Sequence, residues 1–281
     1  MAFIKINSYA KINIALNIIK KNSYLHKIET IVAFISLHDD IFIRQIKNKK
    51  HIISFNGKFS KKITKNNTVS KLLSILDNRN LLNQKKFQIK INKRIPTQAG
   101  LGGGSMNAAN ILKFFLEKKI IKINKKETLS ILKIVGSDVI FGLHSTNSIL
   151  TSKNKIKRFN NCKKFYVLVV KPNFGCSTKY IYSKVRNFNK PKLNNPRKRM
   201  FNFDFLKKMN NSLELVALSK YSKLKSIKTY LESFPEPVFV RMTGSGSALV
   251  AYFRTKASCH KAKKKFDRKY KHLWSIISKT I

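Results

Sequence analysis

Between Pro96 and Lys119 the chain reads PTQAGLGGGSMNAANILKFFLEKK. Gly100, Gly102, Gly103 and Gly104 carry no side chains to keep a ligand from the backbone. Before them, Phe87-Gln88-Ile89-Lys90-Ile91-Asn92 alternates apolar with polar, the period of a half-buried strand. After them, Ala108, Leu112, Phe115 and Leu116 recur at helical spacing, with Ser105 at the expected helix start. A strand therefore runs into a glycine-rich loop that opens a helix. The unpaired N–H groups and partial positive charge of such a helix start suit phosphate binding. A tight turn packing a helix on a sheet is the other reading of these residues. Ser105-Met106-Asn107 after the glycines excludes a P-loop, which needs Lys followed by Ser or Thr. A dinucleotide fold would place an acidic residue at the end of a second strand, and neither Glu117 nor Glu127 is so placed.

Other stretches carry reactive residue types. Ala10 to Ile18 largely alternates and puts Lys11, Asn13 and Asn17 on one face, a pattern that an exposed sheet face also gives. Asp138 follows a Gly-Ser pair, where an aspartate serves as a turn or helix-cap residue or as a functional carboxylate. Met242-Thr243-Gly244-Ser245-Gly246-Ser247-Ala248 lies between two strand patterns, as in a hairpin with a glycine turn. His26 precedes a strand, as many surface histidines do.

Pro96-Thr97-Gln98-Ala99-Gly100-Leu101-Gly102-Gly103-Gly104-Ser105-Met106 resembles the phosphate loop of the GHMP kinases, the superfamily of galactokinase, homoserine kinase and mevalonate kinase. The triple glycine followed by Ser-x-Asn-Ala-Ala is most similar to the kinases of 4-diphosphocytidyl-2-C-methyl-D-erythritol, in the non-mevalonate isoprenoid pathway. Ser8-Tyr9-Ala10-Lys11-Ile12-Asn13 resembles that group's Pro-Ala-Lys-Ile-Asn opening, with Tyr9 where Pro is usual. The resemblance implies that Lys11 lies beside the reacting hydroxyl and that Asn13 contacts substrate. Tyr24-Leu25-His26 corresponds to Gly-Tyr-His, so His26 takes the cytosine-binding position while Leu25 replaces a stacking tyrosine. Tyr182 is the match for a second stacking aromatic, with Tyr180 as the alternative register. Gly136-Ser137-Asp138-Val139-Ile140-Phe141 resembles Gly-Ala-Asp-Val-Pro-x-Phe, which gives Asp138 the role of catalytic base, held by Lys11. Thr243 and Gly244 fall in the third motif, expected to close over the substrate. The implied reaction moves the γ-phosphate of ATP, with Mg²⁺, to the 2-hydroxyl of the cytidine-diphosphate substrate. The metal ligand is left open. Two rivals are a kinase for homoserine, mevalonate or a sugar, and a basic nucleic-acid-binding protein with a decayed kinase site.

The elements that must position these residues are α+β in type. The resemblance implies a ribosomal-S5-domain-2-like domain over residues 1–157 and a smaller α/β plait over 158–281, with the site in the cleft between them. Spacing predicts two strands within 2–20, two more at Ile28–Ser36 and Asp40–Ile46, and a helix over Asn66–Asp77. It predicts a helix over Thr128–Val135, a hairpin over 147–160, a strand at Phe165–Lys171, and a helix beginning at Ser177. Helices follow at 203–217 and 220–233, then strands at Pro237–Arg241 and Leu249–Phe253, a helix at Thr255–Tyr270 and a strand at Leu273–Ile277. Lys184 to Arg199 is polar and basic, the composition of a mobile loop.

The 281 residues, 43% hydrophobic with 20 Phe, can fill a globular core. No apolar run approaches the ~18 residues of a membrane helix, and Lys5 and Lys11 interrupt any signal-peptide pattern. Three scattered cysteines without metal spacing suit a reducing cytoplasm. The net charge of +47 invites a nucleic-acid reading. Lysine is nonetheless spread along the whole chain, outside the one dense run at 184–199, which is drift in composition rather than a binding arm.

Overall fold

A computed structural model of the protein describes residues 2–21 and 26–281. The chain forms two compact units, each gathered from separate stretches.

The first unit comprises Met1–Ala10, Leu37–Thr97 and Gly102–Ser145. Two long strands, β1 (Ile4–Lys21) and β2 (His26–Ile46), pair with each other, and each contributes one end here. They replace the four short strands that the sequence predicts over this region. No glycine or proline interrupts either strand, so nothing in the backbone forces a break at Ser8-Tyr9 or Leu37-His38. β3 (Ile52–Asn56) lies parallel to β4 (Lys86–Asn92), which runs antiparallel to Asp40–Ile46 of β2. The sequence reading passes over β3, a short strand flanked by lysines and asparagines. Four helices complete the unit: α1 (Thr68–Asn78), α2 (Gly103–Glu117), α3 (Lys125–Val135) and the short α4 (Val139–Gly142). Asn67 caps α1 through a reciprocal capping box with Ser70, and Asn124 caps α3. Ile41, Ile43 and Ile89 of the sheet meet Leu72, Leu76, Leu112, Phe115 and Ile131 of the helices in one core.

The second unit comprises Lys11–Ser36, Gln98–Leu101 and Thr146–Ile281. Here β2 pairs with β5 (Asn147–Leu150), and β5 forms the expected hairpin with β6 (Ile156–Phe159). A four-stranded antiparallel sheet follows, made of β7 (Tyr166–Lys171), β8 (Phe239–Met242), β9 (Leu249–Phe253) and β10 (Trp274–Lys279) in the order β10-β7-β9-β8. Its helices are α5 (Thr178–Ser183), α6 (Phe203–Lys207), α7 (Glu214–Lys220), α8 (Ser222–Glu232) and α9 (Lys256–Lys269). One 3₁₀ turn spans Lys198–Phe201. The helix predicted over 203–217 is broken between α6 and α7. At the break the chain pairs with β1: Leu16 N–H donates to the Asn210 carbonyl and Ser212 N–H to that of Leu16. Tertiary pairing overrides helical propensity there.

The run from Lys184 to Arg199 is also more fixed than its composition predicts. Glu29, fully buried on β2, accepts backbone N–H bonds from Lys192 (2.8 Å) and Leu193 (3.0 Å) and an amide bond from Asn17 (2.9 Å). Asn189 N–H donates to Ile18, and the Leu193 side chain is buried. Among the described residues, no helix is long and apolar enough to cross a membrane.

Candidate active site

Lys11 and Asn13 belong to the stretch of β1 that is buried on both faces, at 2% and 3% exposure, so the exposed-face reading of this strand is wrong. A buried polar group needs a partner, and these have several. The Lys11 ammonium donates to Asn13 Oδ1, and Asn13 Nδ2 donates to Thr30 Oγ1 at 2.9 Å. Thr30 Oγ1 donates in turn to the Ala15 carbonyl at 2.6 Å. The Asn13 backbone N–H donates to Thr243 Oγ1 at 2.9 Å, and that hydroxyl donates to the Gly100 carbonyl at 3.1 Å.

Gly100 therefore links two stretches far apart in sequence. Gln98 to Leu101 offer their carbonyls to the chain around them. Ser247 N–H donates to Gln98, Ala248 N–H to Ala99, and Lys11 N–H to Leu101. A Cβ on Gly100, where φ is +71°, would overlap the Thr243 carbonyl, so only glycine allows this approach. Gly244 (φ +55°) and Gly246 (φ +84°) turn the facing loop. Asn211 Nδ2 supports that loop with 2.8 Å bonds to the Met242 and Gly244 carbonyls. Ser245 Oγ lies 2.8 Å from Thr178 Oγ1 at the start of α5.

α5 carries Tyr182, whose ring centroid lies 5.2 Å from that of His26, tilted by 52°. The structure thus sets Tyr182, rather than Tyr180, beside the histidine; Tyr180 is flanked instead by Lys184 and Lys220. His26 Nε2 is buried without a hydrogen-bond partner among the described residues. Burial and then the charge of Lys21 lower the His26 pKa, so the ring is neutral near pH 7. A neutral imidazole with an unpartnered nitrogen beside an aromatic face can read the edge of a base. Tyr24 and Leu25, matched to the other stacking position, lie outside the described residues.

In the first unit, α2 begins at Gly103, two residues before the predicted Ser105. Gly102 precedes it in the left-handed conformation (φ +69°) and supplies no side-chain cap, and Ser105 lies inside the helix rather than at its cap. Gly104 is exposed and Gly103 and Ser105 are half-buried, whereas Met106 is in the core, so any ligand contact from Met106 falls to its backbone. Pro96 is buried and Thr97 half-buried at the entry. Asp138 takes the position before α4, but its carboxylate makes no capping bond to that helix. α4 packs on α2 at Gly142, where a Cβ would come 2.5 Å from Ala109 Cβ and 3.1 Å from Met106 Sδ.

Sequence reasoning missed Thr30 and the buried trio Asp39, Lys93 and Asn107. Phase was the available signal for two of them. Lys93 continues the inward face of Phe87, Ile89 and Ile91, and Asp39 that of Leu37, Ile41 and Ile43.

A protein of Pelagibacter ubique named 4-diphosphocytidyl-2-C-methyl-D-erythritol kinase is 56% identical over 277 residues, which cover 99% of both chains. One of the same name from Clostridium tetani is 33% identical over 99% of this chain and all of its own. The chain belongs to the 4-diphosphocytidyl-2-C-methyl-D-erythritol kinase family. It is a kinase. The model of the GHMP kinases N terminal domain matches residues 67–147, from the cap of α1 to the start of β5. The crystal structure of a 4-(cytidine 5'-diphospho)-2C-methyl-D-erythritol kinase superposes with a TM-score of 0.78 over 98% of this chain and 99% of its own, at 22% identity. A homoserine kinase from Cytophaga hutchinsonii gives 0.71 over 100% of this chain and 95% of its own, at 13% identity. The mixed α and β content with two sheets is the GHMP kinase fold, and a decayed nucleic-acid binder is not favoured for a 4-diphosphocytidyl-2-C-methyl-D-erythritol kinase family member.

Proposed function

We propose that this kinase transfers the γ-phosphate of ATP to the 2-hydroxyl of 4-diphosphocytidyl-2-C-methyl-D-erythritol, supplying the non-mevalonate route to isoprenoid precursors. The observation that carries the reading is the single Thr243 hydroxyl bonded to both Asn13 and Gly100, which joins all three motifs of the family. The working domains are residues 1–157 for the nucleotide and 158–281 as the C-terminal partner, in a reducing cytoplasm where Cys162, Cys176 and Cys259 remain free.

The backbone N–H groups at the start of α2 bind the phosphates, with Pro96 to Met106 as the enclosing segment. The uncapped first turn and the small residues Gly103, Gly104 and Ser105 fit a phosphate group. Mg²⁺ accompanies the nucleotide. Magnesium at such sites is held largely by phosphate oxygens and one or two carboxylates, and it screens charge on the transferring group. No group of three or more His, Cys, Asp or Glu is assembled among the described residues.

Asp138 is the general base. Set at the start of α4, its carboxylate is the group that can accept the proton of a poorly nucleophilic tertiary alcohol. Lys11, anchored by Asn13, supplies the positive charge that steadies the oxygen as it attacks. Asn13, Thr243 and Gly244 orient the methylerythritol end. His26 bonds the cytosine edge, and Tyr182 covers its face.

The test is to incubate the purified chain with ATP, Mg²⁺ and a panel of alcohols: the cytidine compound, its uridine analogue, homoserine and mevalonate. The cytidine compound alone should be phosphorylated efficiently. Equal use of cytidine and uridine compounds rejects the base readout, and preference for homoserine or mevalonate rejects the substrate.

A further inference from the structure

We propose that Asp39 is a positioning residue for the nucleotide: its carboxylate clamps both ends of the glycine loop and so aims the amides at the start of α2. This rests on the reading of that helix start as the phosphate site.

Asp39 is fully buried in β2 at a position that alternation assigns to the core. It lies one step beyond the Asp40–Asn92 pair of β2 and β4, opposite Lys93. Its carboxylate gathers hydrogen bonds from both sides of the loop. From the entry come the Lys93 ammonium and the backbone N–H groups of Arg94 and Ile95, both at 2.8 Å. From the exit comes Asn107 Nδ2 at 3.0 Å, in the second turn of α2. One carboxylate thus joins the chain just before Pro96 to the chain just after Met106.

Two further observations make this a device rather than a chance pairing. Asn107 is 1% exposed, and its Oδ1 has no hydrogen-bond partner among the described residues. A buried amide that leaves one atom unpaired is costly, and Asn107 bears that cost while its Nδ2 holds Asp39. The second concerns Gly103, the first residue of α2. A Cβ there would lie 3.2 Å from Lys93 Nζ and 3.0 Å from Ile95 Cγ2. The clamped lysine therefore lies directly beneath the helix start, and Gly103 is small partly to admit it. Buried ion pairs are a weak source of stability compared with apolar packing of the same volume. What this one supplies is geometry, because donors on both flanks share a single acceptor.

The test uses the full chain with ATP and Mg²⁺ in calorimetry, and steady-state KM values for ATP and for the cytidine compound. Asn107→Ala removes the exit strut together with the unpaired Oδ1, so the fold should hold by circular dichroism. ATP affinity should fall about ten-fold, the equivalent of one hydrogen bond to a charged group, while KM for the cytidine compound moves by less than about two-fold. Asp39→Asn, which weakens both flanks, should lose more, with the same selectivity for ATP. The inference is overturned if folded Asn107→Ala binds ATP as the parent does, or if both substrates weaken alike. Should Asp39→Asn not fold, the Asn107→Ala result decides alone. A parent chain that binds no ATP removes the phosphate reading as well, whereas unaffected variants of an ATP-binding parent remove only the clamp.

Discussion

Gly100→Ala probes the contact between the glycine loop and the loop at 243–248. The added methyl overlaps the Thr243 carbonyl oxygen and would lie 2.9 Å from its carbon and 3.3 Å from Gly246 N. The neighbours are backbone, so the clash cannot be relieved by turning a side chain. The alanine must also hold φ near +71°, which costs about 1 kcal/mol for an L-residue. Separating the loops by enough to fit the methyl breaks the bonds from Thr243 Oγ1 to Gly100 and from Ala248 N–H to Ala99, both 3.1 Å. At about 1 kcal/mol net for each bond, the total is about 3 kcal/mol. For a chain of this size that corresponds to a fall in Tm of about 6–12 °C. Because Thr243 Oγ1 also accepts the Asn13 N–H, turnover should drop together with stability. Thermal melts followed by circular dichroism, with kcat measured well below the new Tm, read both effects. A Tm within about 2 °C of the parent, a change of under 1 kcal/mol, would show that the loops are not held together as described.

Three further outcomes are expected. Asp138→Asn keeps the side chain's shape but cannot take a proton, so kcat should fall about 10²–10⁴-fold with little change in either KM; near-parental turnover in a chemistry-limited assay would remove the base. His26→Ala should raise KM for the cytidine compound without altering that for ATP, and equal shifts in both would contradict base recognition. Because burial, and then the charge of Lys21, lower the His26 pKa, its neutral form persists below the ordinary histidine range, so KM for the cytidine compound should rise only in solution more acid than that range. A rise centred above about pH 7 would contradict the sign of that shift.

Much of the architecture is legible in the sequence because local period and tertiary role agree. β9, a continuous apolar run, has the bounds the sequence predicts, and α1 and α9 begin at capping residues that the pattern reaches within two positions. Local pattern misleads where the two disagree. Residues 203–217 have helical spacing throughout, but Asn210 and Ser212 are drawn into pairing with Leu16, and no local rule encodes a partner so distant. Lys11, Asn13 and Asn17 look like a solvent face because they are polar and alternate, yet all three are buried and partnered, Lys11 with Asn13 and Asn17 with Glu29. Asp39 and Lys93 were legible in principle, since a charge at an inward phase needs a partner. Which charges meet depends on the β2–β4 register, which composition does not reveal.

The proposed reaction moves phosphate to one particular hydroxyl, and ³¹P NMR of the reaction mixture identifies which. With ATP, Mg²⁺ and the cytidine compound, a single new phosphomonoester should grow as ADP does, one for one, and carbon coupling should place it on the tertiary 2-carbon. ADP accumulating with inorganic phosphate and no ester, or an ester on a primary or secondary carbon, would rule out phosphorylation of the 2-hydroxyl.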